Sequence, residues 1–234
     1  MGKIVVKLED KGPLEIQWSN DEVFKKCQTW QRSEHISSDN FDEACNQFYT
    51  VLWRHLSNHR VYDDLPSNPS ILDIGSGTGI LSFLAYQYLN KKAKIYLLDK
   101  TEFSHPGKDG HFYKDEGYGF YHDWESTRDV IATSGFNPAD FVLLNPNDQW
   151  DTEFDLVTSH ASWCWHYPLD TYWANVKATL KIGGKLSLDV SKTALLKNPI
   201  VYKISNEFRS DPILVPHMNN GEEWGYKCIW IRKG

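Results

Sequence analysis

Ile71-Leu72-Asp73-Ile74-Gly75-Ser76-Gly77-Thr78-Gly79 is an apolar run, broken by one acid, that passes directly into three glycines spaced two apart. Ile71, Leu72 and Ile74 have the continuous hydrophobicity of a strand buried on both faces of a parallel sheet. Gly75, Gly77 and Gly79 permit a tight turn and a close approach of backbone to ligand before a helix begins. The stretch predicts an α/β fold, a doubly wound parallel sheet with a nucleotide cradle at the end of its first strand. A glycine-rich turn without a ligand is the bland alternative. Working outward, Ile80, Leu81, Phe83, Leu84, Tyr88 and Leu89 space a covering helix that stops at Asn90-Lys91-Lys92, and KIYLLDK (94–100) supplies a second strand. Asp99 then stands about 20 residues past Gly79, where such folds present a carboxylate to ribose hydroxyls. In the dinucleotide fingerprint G-x-G-x-x-G the third glycine comes one residue later than Gly79, which disfavours an NAD-dependent oxidoreductase.

The pattern D-x-G-x-G-x-G over Asp73 to Gly79 resembles the first motif of the class I S-adenosylmethionine-dependent methyltransferases. The resemblance implies that Asp73 faces the methionine part of the cofactor, S-adenosyl-L-methionine, that Gly75, Ser76, Gly77, Thr78 and Gly79 form its turn, and that Asp99 binds the ribose. Beyond a third strand, DFVLL (140–144), Asn145 matches the place where the family often carries Asp or Asn for the adenine amine. A turn-forming Asn before Pro146 is the equal alternative. Residues 154–190, FDLVTSHASWCWHYPLDTYWANVKATLKIGGKLSLDV, keep the family's order. A fourth strand FDLV leads to an aromatic loop, then to a helix ending at Leu180-Lys181, which Gly183-Gly184 stops before a fifth strand KLSLDV. A helix over 199–209 and strands at 213–215 and 226–231 complete a seven-stranded, mostly parallel, Rossmann-like methyltransferase sheet. The resemblance covers residue 71 onward.

In the loop after the fourth strand, His166 is the first candidate for a general base, since imidazole titrates near neutral pH and the family frequently has His there; His160 is the reserve. Each also reads as a packed histidine. Trp163, Trp165 and Tyr167 are candidates for the acceptor's wall, and the equal alternative is that such alternating aromatics point half into the core. No Asn-Pro-Pro-Tyr or Asp-Pro-Pro-Tyr follows the fourth strand, which weighs against amino methylation of DNA bases.

Residues 1–70 resemble no named family. KIVVKL and LEIQW predict a hairpin around Asp10-Lys11-Gly12-Pro13. Helices are expected over 21–31 and after the cap Ser37-Ser38-Asp39, the latter with Phe41, Ala44, Cys45, Phe48, Leu52 and His55 on its buried face. One domain spanning 1–234 is expected, a hairpin and helical cap (1–70) on a cofactor-binding core (71–234). Residues 101–122 read as an inserted lid-like loop. Its His105, Asp109, His111, Asp115, Glu116 and His122 fit no ligand spacing, so no metal is predicted.

A net charge of −6 with no basic run argues against nucleic acid as the main partner. Cys27, Cys45, Cys164 and Cys228 form no C-x-x-C pair, which suits a reducing cytoplasm. No N-terminal apolar stretch suggests a signal peptide or membrane helix, and Val6 stands where N-myristoylation needs Ser or Thr. The resemblance implies methyl transfer to an oxygen or nitrogen of a small-molecule acceptor, and the aromatic richness, with ten Trp, only leans the acceptor towards a sugar or planar molecule. The alternatives are a catalytically silent nucleoside-binding subunit and, less favoured, the oxidoreductase.

Overall fold

Five apolar runs lie side by side as parallel strands: β3 (Ser70–Ile74), β4 (Lys94–Leu98), β5 (Phe141–Leu144), β6 (Phe154–Ser159) and β7 (Leu180–Ser191). They belong to a seven-stranded sheet of order β5-β4-β3-β6-β7-β9-β8, whose last members, β8 (Ile213–Asn219) and β9 (Glu222–Ile231), run antiparallel. The computed structural model describes residues 1–8, 12–21, 24, 41–58, 60–100, 123–160, 162–164, 168–191, 200–219 and 222–234. The expected helix over 21–31, the cap at 37–39 and the loop 101–122 fall largely or wholly outside them.

Alternation along each strand separates two cores. Ile71, Ile95, Leu97 and Leu156 face one side, and Leu72, Ile74, Val157, Leu186 and Leu188 the other. On the first side pack α1 (Phe41–Asn58), α2 (Ile80–Tyr88) and α3 (Trp124–Thr133) with the hairpin β1 (Gly2–Val6) and β2 (Leu14–Trp18). On the second pack α4 (Asp170–Thr179) and α5 (Ile200–Phe208). Helices on both faces cover β3, β4 and β5, which are too apolar to meet water, whereas β7 alternates Lys185, Ser187 and Asp189 with Leu186, Leu188 and Val190.

The predicted hairpin forms with Gly2 opposite Trp18 and Val6 opposite Leu14, burying Ile4, Val6, Leu14, Ile16 and Trp18. Trp18 stacks on Phe24 at 3.9 Å. Asp129 of α3 fastens the strand end, accepting from the backbone N–H groups of Ser19 (2.7 Å) and Asn20 (3.0 Å) and from the Ser19 hydroxyl.

Two elements differ from expectation. The buried stripe of α1 is Phe41, Cys45, Tyr49, Trp53 and Leu56, rotated from the predicted face, because Trp53 stacks on Tyr62 (5.4 Å) and draws the helix round. The fourth helix also ends before Leu180, not at Lys181: Leu180 is already extended and pairs with Phe154. Gly183, at φ 82°, and Gly184 make a register shift inside β7, after which Leu156 pairs with Lys185. The glycines re-register a strand instead of stopping a helix. A Cβ at Gly184 would lie 2.9 Å from the Lys181 carbonyl oxygen. Among the described residues no helix is long and apolar enough to cross a membrane.

Candidate functional site

In an open α/β sheet a crevice forms where successive connections leave a strand in opposite directions, beyond the strands' carboxyl ends. Here that point lies between β3 and β6. The glycine turn begins there, with Gly75, Gly77 and Gly79 all left-handed at φ 73°, 55° and 85°. The N–H groups of Gly75 (2.7 Å) and Ser76 (3.2 Å) donate to the Leu98 carbonyl, tying the turn to the neighbouring strand. Gly79 caps α2, its carbonyl accepting from Phe83 N–H at 2.8 Å. Thr78 is buried, with its carbonyl 3.5 Å from the Thr127 hydroxyl, and Ser76 is half-buried.

Gly77 N–H donates to Asp99 Oδ2 at 2.6 Å, Lys100 N–H to Asp99 Oδ1 at 2.7 Å, and Asp99's own N–H to the Leu144 carbonyl at 3.2 Å. The glycine turn and the ribose-type carboxylate are thus one hydrogen-bonded unit. Burial pushes the Asp99 carboxyl up to about 6 against those two backbone donors. A carboxylate has about four acceptor positions, of which donors among the described residues take two on Asp99.

Asp73, at the end of β3, is 3% exposed. Its Oδ2 accepts from the Ser82 hydroxyl at 2.7 Å, whereas Oδ1 is buried with no partner among the described residues. Burial raises its pKa; His160, the Ser82 hydroxyl and Lys227 pull the other way. An orphaned carboxylate oxygen is costly unless a cation or donor completes it. Along the same face of the sheet Asp73 pairs in register with Thr158, Thr158 with Ser187, and Asp189 with Lys227. Lys227, 1% exposed, binds Asp189 Oδ1 at 2.5 Å and lies 3.2 Å from His160 Nδ1. Tyr62 stands near the two acids of this row: burial first, then Asp73 and Asp189, drive its hydroxyl pKa well above the ordinary value.

No protein-family model and no curated protein matches the sequence. Solved structures do match in shape. A putative class I S-adenosylmethionine-dependent methyltransferase from Listeria monocytogenes aligns with TM-score 0.53 and 14% identity over 92% of this chain and 69% of that one. An rRNA methylase from Streptococcus thermophilus aligns at 0.51 and 13% over 77% and 96%. A putative methyltransferase from Streptococcus mutans, in complex with SAH, aligns at 0.50 and 16% over 76% and 96%. The chain has the class I methyltransferase fold. At these identities the likeness is one of fold.

The methyltransferase fold brings Asp73, Gly75 to Gly79 and Asp99 to one crevice, as read from sequence. Asn145 lies at the adjoining end of β5, exposed, with its Oδ1 3.4 Å from Trp124 Nε1 and its Nδ2 3.4 Å from Asp148 Oδ2. Of the aromatics after the fourth strand, Trp163 takes the core alternative: it is fully buried, with its indole N–H shared between the carbonyls of Pro168 and Leu169 at 3.2 Å. His160 is also engaged, its Nε2 3.0 Å from the Thr158 hydroxyl oxygen. Trp165, His166 and Tyr167 lie outside the described residues. Sequence reasoning missed Tyr62, Ser82, Asp189 and Lys227. The last two had a signal, being charges inside LSLDV and YKCIWI, runs otherwise fit for a fully buried strand.

Proposed function

We propose that this chain is an S-adenosylmethionine-dependent methyltransferase acting on an oxygen or nitrogen atom of a small molecule, with a lean to a sugar or planar acceptor. The observation that carries the reading is the orphaned Oδ1 of Asp73, buried beside three left-handed glycines and the Asp99 carboxylate. The donor set fits the cofactor: Asp73 suits its ammonium group, the open backbone at Gly77 its close approach, Asp99 its ribose hydroxyls and Asn145 its adenine amine. When bound, the cofactor supplies an activated methyl group, so the protein's part is orientation and proton removal.

His166 is proposed as the base that takes the acceptor's proton. His160 is the weaker candidate, since both its nitrogens have partners inside the protein. The acidic net charge of −6 supports a small acceptor over an RNA backbone, although one protein of this fold is an rRNA methylase. A cytoplasmic setting suits Cys45, Cys164 and Cys228, which are free thiols. Isothermal titration with S-adenosylhomocysteine, followed by labelled methyl transfer to a panel of sugars, phenols, amines, peptides and RNA, tests the reading. Absence of binding sinks it. Binding with no transfer to any class points to the silent subunit.

A further inference from the structure

The buried row beside Asp73 contains a histidine with a polar neighbour at each ring nitrogen. We infer that Lys227, with Asp189, is a positioning residue that fixes which nitrogen of His160 carries the proton, holding the imidazole as a donor to Thr158 and withholding it from service as a base.

An ammonium group has donors and no acceptor. Lys227 Nζ gives one hydrogen to Asp189 Oδ1 at 2.5 Å and stands 3.2 Å from His160 Nδ1. Two N–H groups facing each other at that separation would repel, so Nδ1 must accept with its lone pair. The proton then sits on Nε2, which is 3.0 Å from Thr158 Oγ1, a hydroxyl oxygen able to accept. The other Asp189 oxygen is 3.6 Å from Nδ1, too long for a hydrogen bond that would favour the opposite tautomer. The side chains of Lys227, Asp189 and His160 are 1%, 7% and 11% exposed, so water is a poor substitute for these partners.

The groups facing His160 come from adjacent strands in the sheet: Asp73 on β3, Thr158 on β6, Asp189 on β7 and Lys227 on β9, and Tyr62 stands near the two acids of this row. Sheet pairing places Asp189 directly opposite Lys227, so the backbone sets the tautomer-determining pair. The tautomer stands apart from the reaction; its consequence, that proton removal falls to another group, rests on the proposed methyl transfer.

Nitrogen-15 spectra of the imidazole groups test this, with the His160 signals identified by their loss in His160→Gln. At neutral pH the parent protein should show an unprotonated Nδ1 and a protonated Nε2; a proton on Nδ1 overturns the inference. In Lys227→Met, Asp189 loses its cation and should draw a proton onto Nδ1, whereas Lys227→Arg should keep the parental pattern. An unchanged pattern in Lys227→Met removes Lys227 from the role. If that variant does not fold, the parent and Lys227→Arg spectra still decide, because a proton on Nδ1 in either contradicts the geometry. In methyl transfer, the acid limb of the pH–rate profile should keep its midpoint in His160→Gln, and loss of the limb would make His160 the base. A parent without methyl-transfer activity refutes the proposed function and leaves the spectral outcome to stand by itself.

Discussion

A methyl group added at Gly75 would fall on the side chain of Ser162, whereas one added at Gly77 meets nothing within 4 Å, although both backbones are left-handed. Gly75→Ala should therefore combine backbone strain with overpacking and lower stability by about 3 kcal/mol in urea denaturation, and pairing it with Ser162→Gly should relieve only the packing share. Gly77→Val should cost only about 1 to 2 kcal/mol of stability yet abolish S-adenosylmethionine binding in calorimetry, because its side chain enters the space kept for a ligand. Parental affinity in that variant would make the turn purely structural. Asp99→Ala should weaken cofactor binding by about 10- to 100-fold with the fold intact by circular dichroism, the scale of about 1.5 to 3 kcal/mol for hydrogen bonds to a charged group. The pH dependence follows in sign. An acid whose carboxyl is raised in the folded state opposes folding of the free protein as pH rises through the range ending at about 6. Hydroxyl donors favour its ionised form, so affinity should fall as pH drops below about 6. His166→Ala should lower methyl transfer about a hundredfold at constant cofactor affinity, with a residual rate that climbs with pH as hydroxide takes over. A full rate in both His166→Ala and His160→Ala assigns catalysis to orientation alone.

At the scale of elements, Asp129 and the cap residue Ser134 tie the hairpin to α3, the acid at Ser19 and Asn20 and the hydroxyl at Gln17. Burial tends to raise the Asp129 carboxyl, but the Ser19 hydroxyl and the Ser19 and Asn20 N–H groups outweigh it and hold it below the usual range. A depressed acid contributes stability above its unfolded value and loses it as pH falls through its folded one. Asp129→Ala should thus cost about 1 kcal/mol at neutral pH and nothing in strong acid, read from denaturation midpoints at the two pH values. What was legible here was period. Leu14, Ile16 and Trp18 alternate and do form a strand, and the spacing from Ile80 does form α2. What was not legible was phase and punctuation. Tyr49 and Trp53 displaced Phe48 and Leu52 from the deepest face of α1 because of a tertiary partner, Tyr62, that no local pattern announces. Gly183-Gly184 after a helical run looks like a stop, yet Arg232, 48 positions after Gly184 in sequence, supplies the partner for Gly183 N–H at 2.7 Å and makes it a bulge.

For the whole molecule, ligand binding should appear as heat resistance. S-adenosylhomocysteine at about 100 times its dissociation constant adds about 2.7 kcal/mol, or roughly 5 to 10 °C in the melting temperature of a chain this long, while NAD should give no shift. The reverse pattern would restore the oxidoreductase. The meeting of the glycine turn with Asp99 was readable because Asp73 to Gly79 and Asp99 follow consecutive strands at a fixed spacing. The polar row was not, because Asp189 and Lys227 meet Asp73 only through the order β3-β6-β7-β9, a long-range property of the sheet. That order also gives the molecule a direction in time. β8 precedes β9 in the chain but touches the sheet only through it, since β9 lies between β7 and β8. During synthesis β8 emerges before its native neighbour β9, so it can take its place in the sheet only once β9 has followed. Until then, Asp189 stands on a bare sheet edge, so the nascent protein can build its glycine turn well before its polar wall.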